Sequence, residues 1–347
     1  MSTRREILEQ AGSVEGSATA VSTTDPAAFA PADPTAARDD MAFAGPHEMP
    51  QNAKLLSIKH ADGSESLGAV IPGGVVDVRA TARKLGIAAP ATLHELLVGG
   101  NGEALTKVIS GAKVSGVPLL AEADITHGRL FTNPGKIMCV GLNYRQHAKE
   151  VDMQEPRVPP LFNKYNNTLA AHNCVIALPP RDVAYKFDYE TELLIVIGKV
   201  GRNIPEADAL SYVAGYCTSN DFSARDLQLE TPSGQWMVGK TLDAFAPIGP
   251  YFVSSDLVGD PNKLKIETRV NGQLRQSSNT ADFIFTTQQI IAYISKLWAI
   301  APGDIIFTGT PQGVIAGMPK DKQVWLKAGD KVVSSIEKLG DLMFSLG

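Results

Sequence analysis

Phe187-Asp188-Tyr189-Glu190-Thr191-Glu192-Leu193-Leu194-Ile195-Val196-Ile197-Gly198-Lys199 decides how the chain is read. The run is a strand whose apolar stretch opens on two carboxylates, and side chains at i and i+2 of a strand leave the same face. Glu190 and Glu192 therefore look out from one spot. Two like charges beside a hydrophobic strand are costly unless a cation lies between them, either a metal ion or a basic side chain. The strand alone does not choose between the two.

Downstream, Gly215 to Gln228 (GYCTSNDFSARDLQ) reads as a strand breaking into a polar turn, and Asp221 there is a third acid. Three carboxylates form a hard, all-oxygen site with coordination positions left open, the pattern of Mg²⁺ or Mn²⁺ ahead of Ca²⁺. Against this stands the ordinary reading of Glu-x-Glu on a strand, a solvated face. Lys240, among small and apolar neighbours in WMVGKTLD, either pairs with one of these acids or serves chemistry, and the salt bridge is the default. Thr308 to Gly313 (TGTPQG) closes a strand with a glycine-rich turn whose N–H groups can receive an anion. In GLNYRQHAKE, His147 and Glu150 stand at i and i+3, on one side of a helix. A carboxylate holding one imidazole nitrogen leaves the other free to take a proton from water. Val151 to Pro159, with its charges and prolines, suits a segment that moves over a site.

Composition narrows the classes. The chain has 347 residues, 44% of them hydrophobic and 20% charged, with a net charge of −5 and no concentrated Lys/Arg run. Clustered positive charge is what phosphate backbones require, so nucleic acid is not the expected partner and a small molecule is. Cys139, Cys174 and Cys217 are odd in number, far apart and free of any C-x-x-C pair, so neither a disulfide framework nor a zinc site is signalled. No apolar run reaches the roughly 18 to 20 residues of a membrane span. Residues 1–52, rich in Ala, Ser, Thr, Pro and Asp, read as a leader or disordered segment. Thr3 to Leu8 followed by Ala28-Phe29-Ala30 resembles a twin-arginine export signal, but Glu9 and Glu15 interrupt it. A cytoplasmic protein is expected, with periplasmic export through a degenerate leader as the alternative.

From Lys54, the runs LLSIKH, LGAVIP and VVDV suggest a small antiparallel sheet, with helices at Ala91 to Val98 and Glu103 to Ile109. Residues 53–130 are expected to be a small α+β N-terminal domain, and 131–347 the catalytic one. Short β-like runs dominate the latter, KIMCVGL, ELLIVIGKV, IGPYFV, KIETRV, DIIFTG and KVVSSI, with helices at Glu206 to Tyr212 and Thr287 to Leu297. Their length and frequency predict a mixed α/β, predominantly β fold, a large roll or sandwich rather than a doubly wound sheet.

GLNYRQHAKE, PLFNKYNNT, DYETELLIVIGK, GYCTSNDFSARDLQ, GQWMVGKTLDAFAPIGP, APGDIIFTGTPQGV and LKAGDKVVSSIEKLGDL occur in the order of the signatures of the fumarylacetoacetate hydrolase (FAH) family, over Lys136 to Gly347. The chain resembles that family. The resemblance implies the FAH-type mixed β-sandwich roll, homodimerisation, and a divalent metal held by Glu190, Glu192 and Asp221. It implies that Lys240, Gln228 and Thr310 contact substrate or its developing charge, and that His147 with Glu150 sits on a lid. Lys164, in FNK, falls where the family commonly has a lysine, and is assigned to substrate binding. The expected activity is metal-dependent hydrolysis of a C–C bond in acylpyruvates or related 2,4-diketo acids, diketo-deoxy sugar acids included, through an enolate. His147, steered by Glu150, would activate the water, and Lys240 would stabilise the charge. Oxaloacetate decarboxylation or tautomerisation, oxo-dienoate isomerisation or hydration, and an inert metal-binding scaffold are the alternatives. Tyr165, Trp236 and the 151–159 segment are expected to shape the pocket for the substrate's tail.

Overall fold

A computed structural model describes residues 48–347 apart from residue 233, so the expected leader lies, up to residue 47, outside the described residues. Among the described residues, the strands in chain order are β1 (Lys54–Lys59), β2 (Glu65–Ile71), β3 (Gly74–Asp77), β4 (Ile137–Val140), β5 (Leu161–Asn163), β6 (Leu169–Ala170), β7 (Cys174–Ile176), β8 (Phe187–Asp188), β9 (Thr191–Ile197), β10 (Val213–Asn220), β11 (Ser223–Ala224), β12 (Ala246–Ser254), β13 (Lys265–Val270), β14 (Gln273–Asn279), β15 (Ile305–Phe307), β16 (Lys331–Ile336) and β17 (Gly340–Leu346). The largest sheet runs β3-β2-β1-β12-β10-β9-β15-β4-β5, with β6 also paired to β12. A second sheet runs β14-β13-β16-β17-β7, and β8 pairs with β11 alone.

β9 lies inside the large sheet, antiparallel to β10 on one side and to β15 on the other, and all seven of its residues are buried. A strand covered on both faces can be apolar at every position, which is why its sequence shows no alternation. Leu193, Ile195 and Ile197 pack with Ile290, Ile291 and Ile294 of the helix Thr287–Leu297. Leu194 and Val196 face the opposite way, into a core shared with the N-terminal helices through Leu96, Leu97, Leu105 and Val108. The second sheet closes a third core around Phe187, Phe222, Phe245 and Phe344, where Phe222 and Phe245 meet edge to face at 4.8 Å.

The helix Thr287–Leu297 has the predicted bounds and a capping box: the Thr286 hydroxyl accepts from Gln289 N–H, and the Gln289 side chain accepts from Thr286 N–H. Glu206–Tyr212 also has the predicted bounds but winds as a tighter 3₁₀ turn after Pro205. Among the described residues, three α-helices precede residue 130: Val78–Leu85, which was not expected from the sequence, Leu93–Gly99, and Gly102–Val114, the last longer than its sequence signal. β1, β2 and β3 form the expected antiparallel meander, but β1 also pairs with β12. The segment before residue 130 therefore shares hydrogen bonds and core with the C-terminal two thirds of the chain. Cys139 and Cys217 are buried, Cys174 is half-buried, and all three are free thiols. Among the described residues, no helix is long and apolar enough to cross a membrane.

Candidate active site

The strand expected to carry both glutamates is interrupted. β8 ends at Asp188, Tyr189 and Glu190 lie outside regular pairing, and β9 begins at Thr191. The β9–β10 register sets Glu192 opposite Ser219 and Thr191 opposite Asn220, so Asp221, one residue past β10, falls beside Glu190 and donates its N–H to the Glu190 carbonyl at 2.8 Å. Oxygen atoms of Glu190, Glu192 and Asp221 consequently lie within 4.8 Å of one another, and all three residues are buried.

The cation demanded by the sequence is supplied in part by three bases. Lys240, ending the helix Trp236–Lys240, places Nζ 2.7 Å from Glu190 Oε2 and 2.8 Å from Asp221 Oδ2. Lys164 reaches Asp221 Oδ1 at 2.5 Å and also donates to the Lys240 carbonyl. Arg225 bridges Glu190 Oε1 (2.7 Å, from Nη1) and Asp188 Oδ2 (2.9 Å, from Nε). With Asp188 counted, four buried acids face three buried bases, and Glu192 is the acid left without one. Its carboxylate accepts the Gly309 N–H at 2.7 Å. Burial would raise the Glu190 carboxyl, but Lys240 and Arg225 overturn that and hold it at about 2. Glu192 goes the other way, pushed well up by burial and then by the charges of Asp221 and Glu190. Burial disfavours the Lys240 ammonium, yet Asp221 and Glu190 raise its pKa and keep it charged. An all-carboxylate set carrying one uncompensated negative charge fits a hard divalent cation.

Above the cluster lies a cavity of about 520 Å³, whose polar wall includes Glu190, Glu192 and Lys240 and whose apolar wall includes Met153, Phe162 and Trp236. His147 and Glu150, from the helix Arg145–Glu150, line it too. Glu150 Oε2 lies 3.1 Å from His147 Nδ1 and its carboxylate accepts the Gly313 N–H, so the imidazole is held at Nδ1, and Nε2 is the nitrogen available to a substrate or water. The glycine-rich turn expected to receive an anion receives two of the protein's own, Glu192 at Gly309 and Glu150 at Gly313.

Gln228 lines the cavity and accepts from Arg225 Nη1 at 2.8 Å, leaving its amide N–H₂ as a donor. Thr310 lines it as well, but its hydroxyl proton goes to the Thr191 carbonyl at 3.0 Å. Lys164 stands behind the carboxylates and lines a separate surface pocket with Tyr165, whose ring is half exposed there. Of the residues expected around the substrate's tail, Trp236 and the 151–153 turn reach the cavity and Tyr165 does not. Arg225 and Asp188 are the site residues that sequence reasoning missed. Asp188 left a signal, since it continues the alternation of Glu190 and Glu192; Arg225, in a polar turn, left none.

A family model for the fumarylacetoacetate (FAA) hydrolase C-terminal domain matches residues 136–346. Among curated relatives, the mitochondrial oxaloacetate tautomerase FAHD2B of Bos taurus is 41% identical over 268 residues, 77% of this chain and 82% of its own. Among solved structures, maleylpyruvate hydrolase from Sphingobium sp. SYK-6, in complex with manganese(II) ion and pyruvate, is 27% identical with a TM-score of 0.68, covering 84% of this chain and 98% of that one. Fumarylpyruvate hydrolase from Pseudomonas aeruginosa, in complex with Mn²⁺ and pyruvate, is 32% identical with a TM-score of 0.56, covering 62% and 90%.

Proposed function

The chain belongs to the fumarylacetoacetate hydrolase family, and on that premise we propose that it is a divalent-metal enzyme performing enolate chemistry at C3 of a 2-oxo acid, with keto–enol tautomerisation of an oxaloacetate-like acid as the leading reaction. The observation that carries this reading is the buried triad Glu190, Glu192 and Asp221, of which Glu192 has no base as partner, at the floor of a cavity that His147 overlooks. Glu190, Glu192 and Asp221 would hold a Mg²⁺ or Mn²⁺ ion, which would supply the Lewis acidity that favours the enolate of a 2-oxo acid. His147, fixed by Glu150, accepts the enol proton and returns one to C3, so the reaction needs no co-substrate. The Lys240 ammonium, already held by Glu190 and Asp221, adds positive charge where the enolate oxygen develops. Met153, Phe162 and Trp236 make one wall of the cavity apolar. Tautomerisation leads because the relative matched over 77% of the chain is named for it.

The second reading is hydrolysis of a C–C bond in an acylpyruvate. Its support is the same dyad, which can equally deprotonate water, together with a cavity of about 520 Å³ and an apolar wall, more room than a four-carbon acid fills. Here His147 takes the water proton, hydroxide adds to the C4 carbonyl, and the C3–C4 pair of electrons leaves as an enolate that is protonated at C3. A Mg²⁺-supplemented panel of enol-oxaloacetate, oxaloacetate, acetylpyruvate, fumarylpyruvate and diketo-deoxy sugar acids, with product identification, separates the two. Loss of the enol absorbance without pyruvate release supports tautomerisation, and pyruvate plus a carboxylic acid supports hydrolysis. No metal-dependent turnover of any member sinks both. Homodimerisation belongs to the same reading, and sedimentation measures it.

A further inference from the structure

β14 is an edge strand of the second sheet, and of its seven residues only Gln276 is fully buried. An edge strand that sends in one polar side chain must satisfy it, since a buried amide without partners is costly. Gln276 uses its whole amide. Its Oε1 accepts the Thr191 N–H at 3.2 Å and the Thr268 hydroxyl at 2.6 Å, while its Nε2 donates to Thr310 Oγ1 at 2.9 Å and to the Pro311 carbonyl at 2.8 Å. Only one orientation fits, because a flipped amide would set its N–H₂ against the Thr191 N–H and its oxygen against the Pro311 carbonyl.

These partners are the joints of the site. Thr191 stands between Glu190 and Glu192, and its carbonyl accepts the Thr310 hydroxyl. Thr310 and Pro311 lie in the turn bounded by Gly309, whose N–H holds Glu192, and by Gly313, whose N–H holds Glu150. The same turn rests on β14: Gln312 Nε2 donates to the Ser277 carbonyl at 3.0 Å, and a Cβ on Gly313 would strike the Arg275 carbonyl. We infer that Gln276 is a positioning residue, which ties the strand carrying the glutamates to the glycine-rich turn and so holds the acid triad and the His147–Glu150 dyad in one geometry. It acts through Thr191, Thr310 and Pro311, not on the substrate. The inference rests on the proposed function, since the triad must hold a metal for its geometry to be felt in catalysis. Partners behind a ligand set typically matter this way, by orienting the groups in front of them.

Two variants of the full chain test it. Gln276→Met keeps the side chain's bulk and removes its amide. Ser295→Ala is the comparison: in the helix Thr287–Leu297 the buried Ser295 hydroxyl accepts the Ile204 N–H at 2.9 Å and donates to the Ala292 carbonyl at 3.0 Å. Gln276→Met should weaken Mn²⁺ binding, and lower kcat at saturating Mn²⁺ for the most active member of the 2-oxo acid panel, by about 10 to 100-fold each. Ser295→Ala should lower the urea midpoint and leave Mn²⁺ affinity and kcat at their wild-type values. Wild-type Mn²⁺ affinity and kcat in folded Gln276→Met, or losses of the same size in Ser295→Ala, overturn the positioning role. Where Gln276→Met does not fold, Gln276→Asn, whose amide stops one methylene short of the turn, is held to the same outcomes. A wild-type chain that binds no Mn²⁺ instead overturns the reading of the triad, and the positioning role with it.

Discussion

Glu192 is buried at 2% exposure with two other acids and no base. Replacing it with Gln removes the excess negative charge while leaving an oxygen for the Gly309 N–H. The metal-free Glu192→Gln protein should therefore melt no lower than wild type, whereas its stabilisation by Mn²⁺, about 2.7 kcal/mol for wild type at a hundredfold excess over Kd, should fall by more than half. A scanning-calorimetry series with EDTA and Mn²⁺ reads both, and an unchanged Mn²⁺ shift would remove Glu192 from the ligand set. His147→Ala touches the reaction without touching the triad. It should lower kcat by about 10² to 10⁴-fold and leave Mn²⁺ affinity as it was; wild-type turnover in that variant would strip His147 of its role. The acids were legible because carboxylates cannot open an apolar strand without a reason. Arg225 was not, because an arginine in a polar turn looks the same in sequence whether it is solvated or bridges two buried acids.

Among the elements, periodicity and capping carried the reading where an element is decided locally. The helix Thr287–Leu297 shows its cap in its own sequence, and Lys265–Val270 and Lys331–Ile336 alternate as half-buried strands do. The break between β8 and β9 was not legible: Tyr189 and Glu190 continue the strand pattern, but their N–H groups go to side chains, Asp188 Oδ1 and Asn220 Oδ1, and the Glu190 carbonyl accepts from Asp221 N–H. Two substitutions separate elements that serve the site from elements that serve only stability. Gly309 has φ +95°, and a Cβ there would lie 2.8 Å from Asn143 Cβ, so Gly309→Ala should cost about 1 to 3 kcal/mol and weaken metal binding by displacing the N–H that holds Glu192. Thr286→Ala should cost about 1 kcal/mol with KM unchanged. Urea unfolding beside steady-state kinetics distinguishes the pair, and equal effects on metal affinity would contradict the role given to the Gly309 turn.

At the scale of the molecule, the β class and the order of motifs were visible in the sequence, while the merging of β1 to β3 into the main sheet was not, since two registered residue pairs between β1 and β12 leave no local pattern. The same long-range packing buries His172. Burial, and then the neighbouring His127 ring 4.6 Å away, lower its pKa to about 4, and its Nδ1 accepts the Met343 N–H. A base depressed on folding takes up its proton more readily when unfolded. Its contribution to stability is therefore complete above the ordinary value near 6.5 and is lost as pH falls toward 4. Urea midpoints should decline across that window, and His172→Gln should flatten the decline; an identical slope in the variant would assign the pH dependence elsewhere.

The most direct measurement is Mn²⁺ binding followed by electron paramagnetic resonance, on wild type and Glu192→Gln, with and without oxalate. One tight Mn²⁺ per wild-type chain, tightened further by oxalate and lost in the variant, is the predicted result. Mn²⁺ that binds wild type no better than the variant, or that oxalate leaves indifferent, would contradict a metal-held 2-oxo acid at Glu190, Glu192 and Asp221.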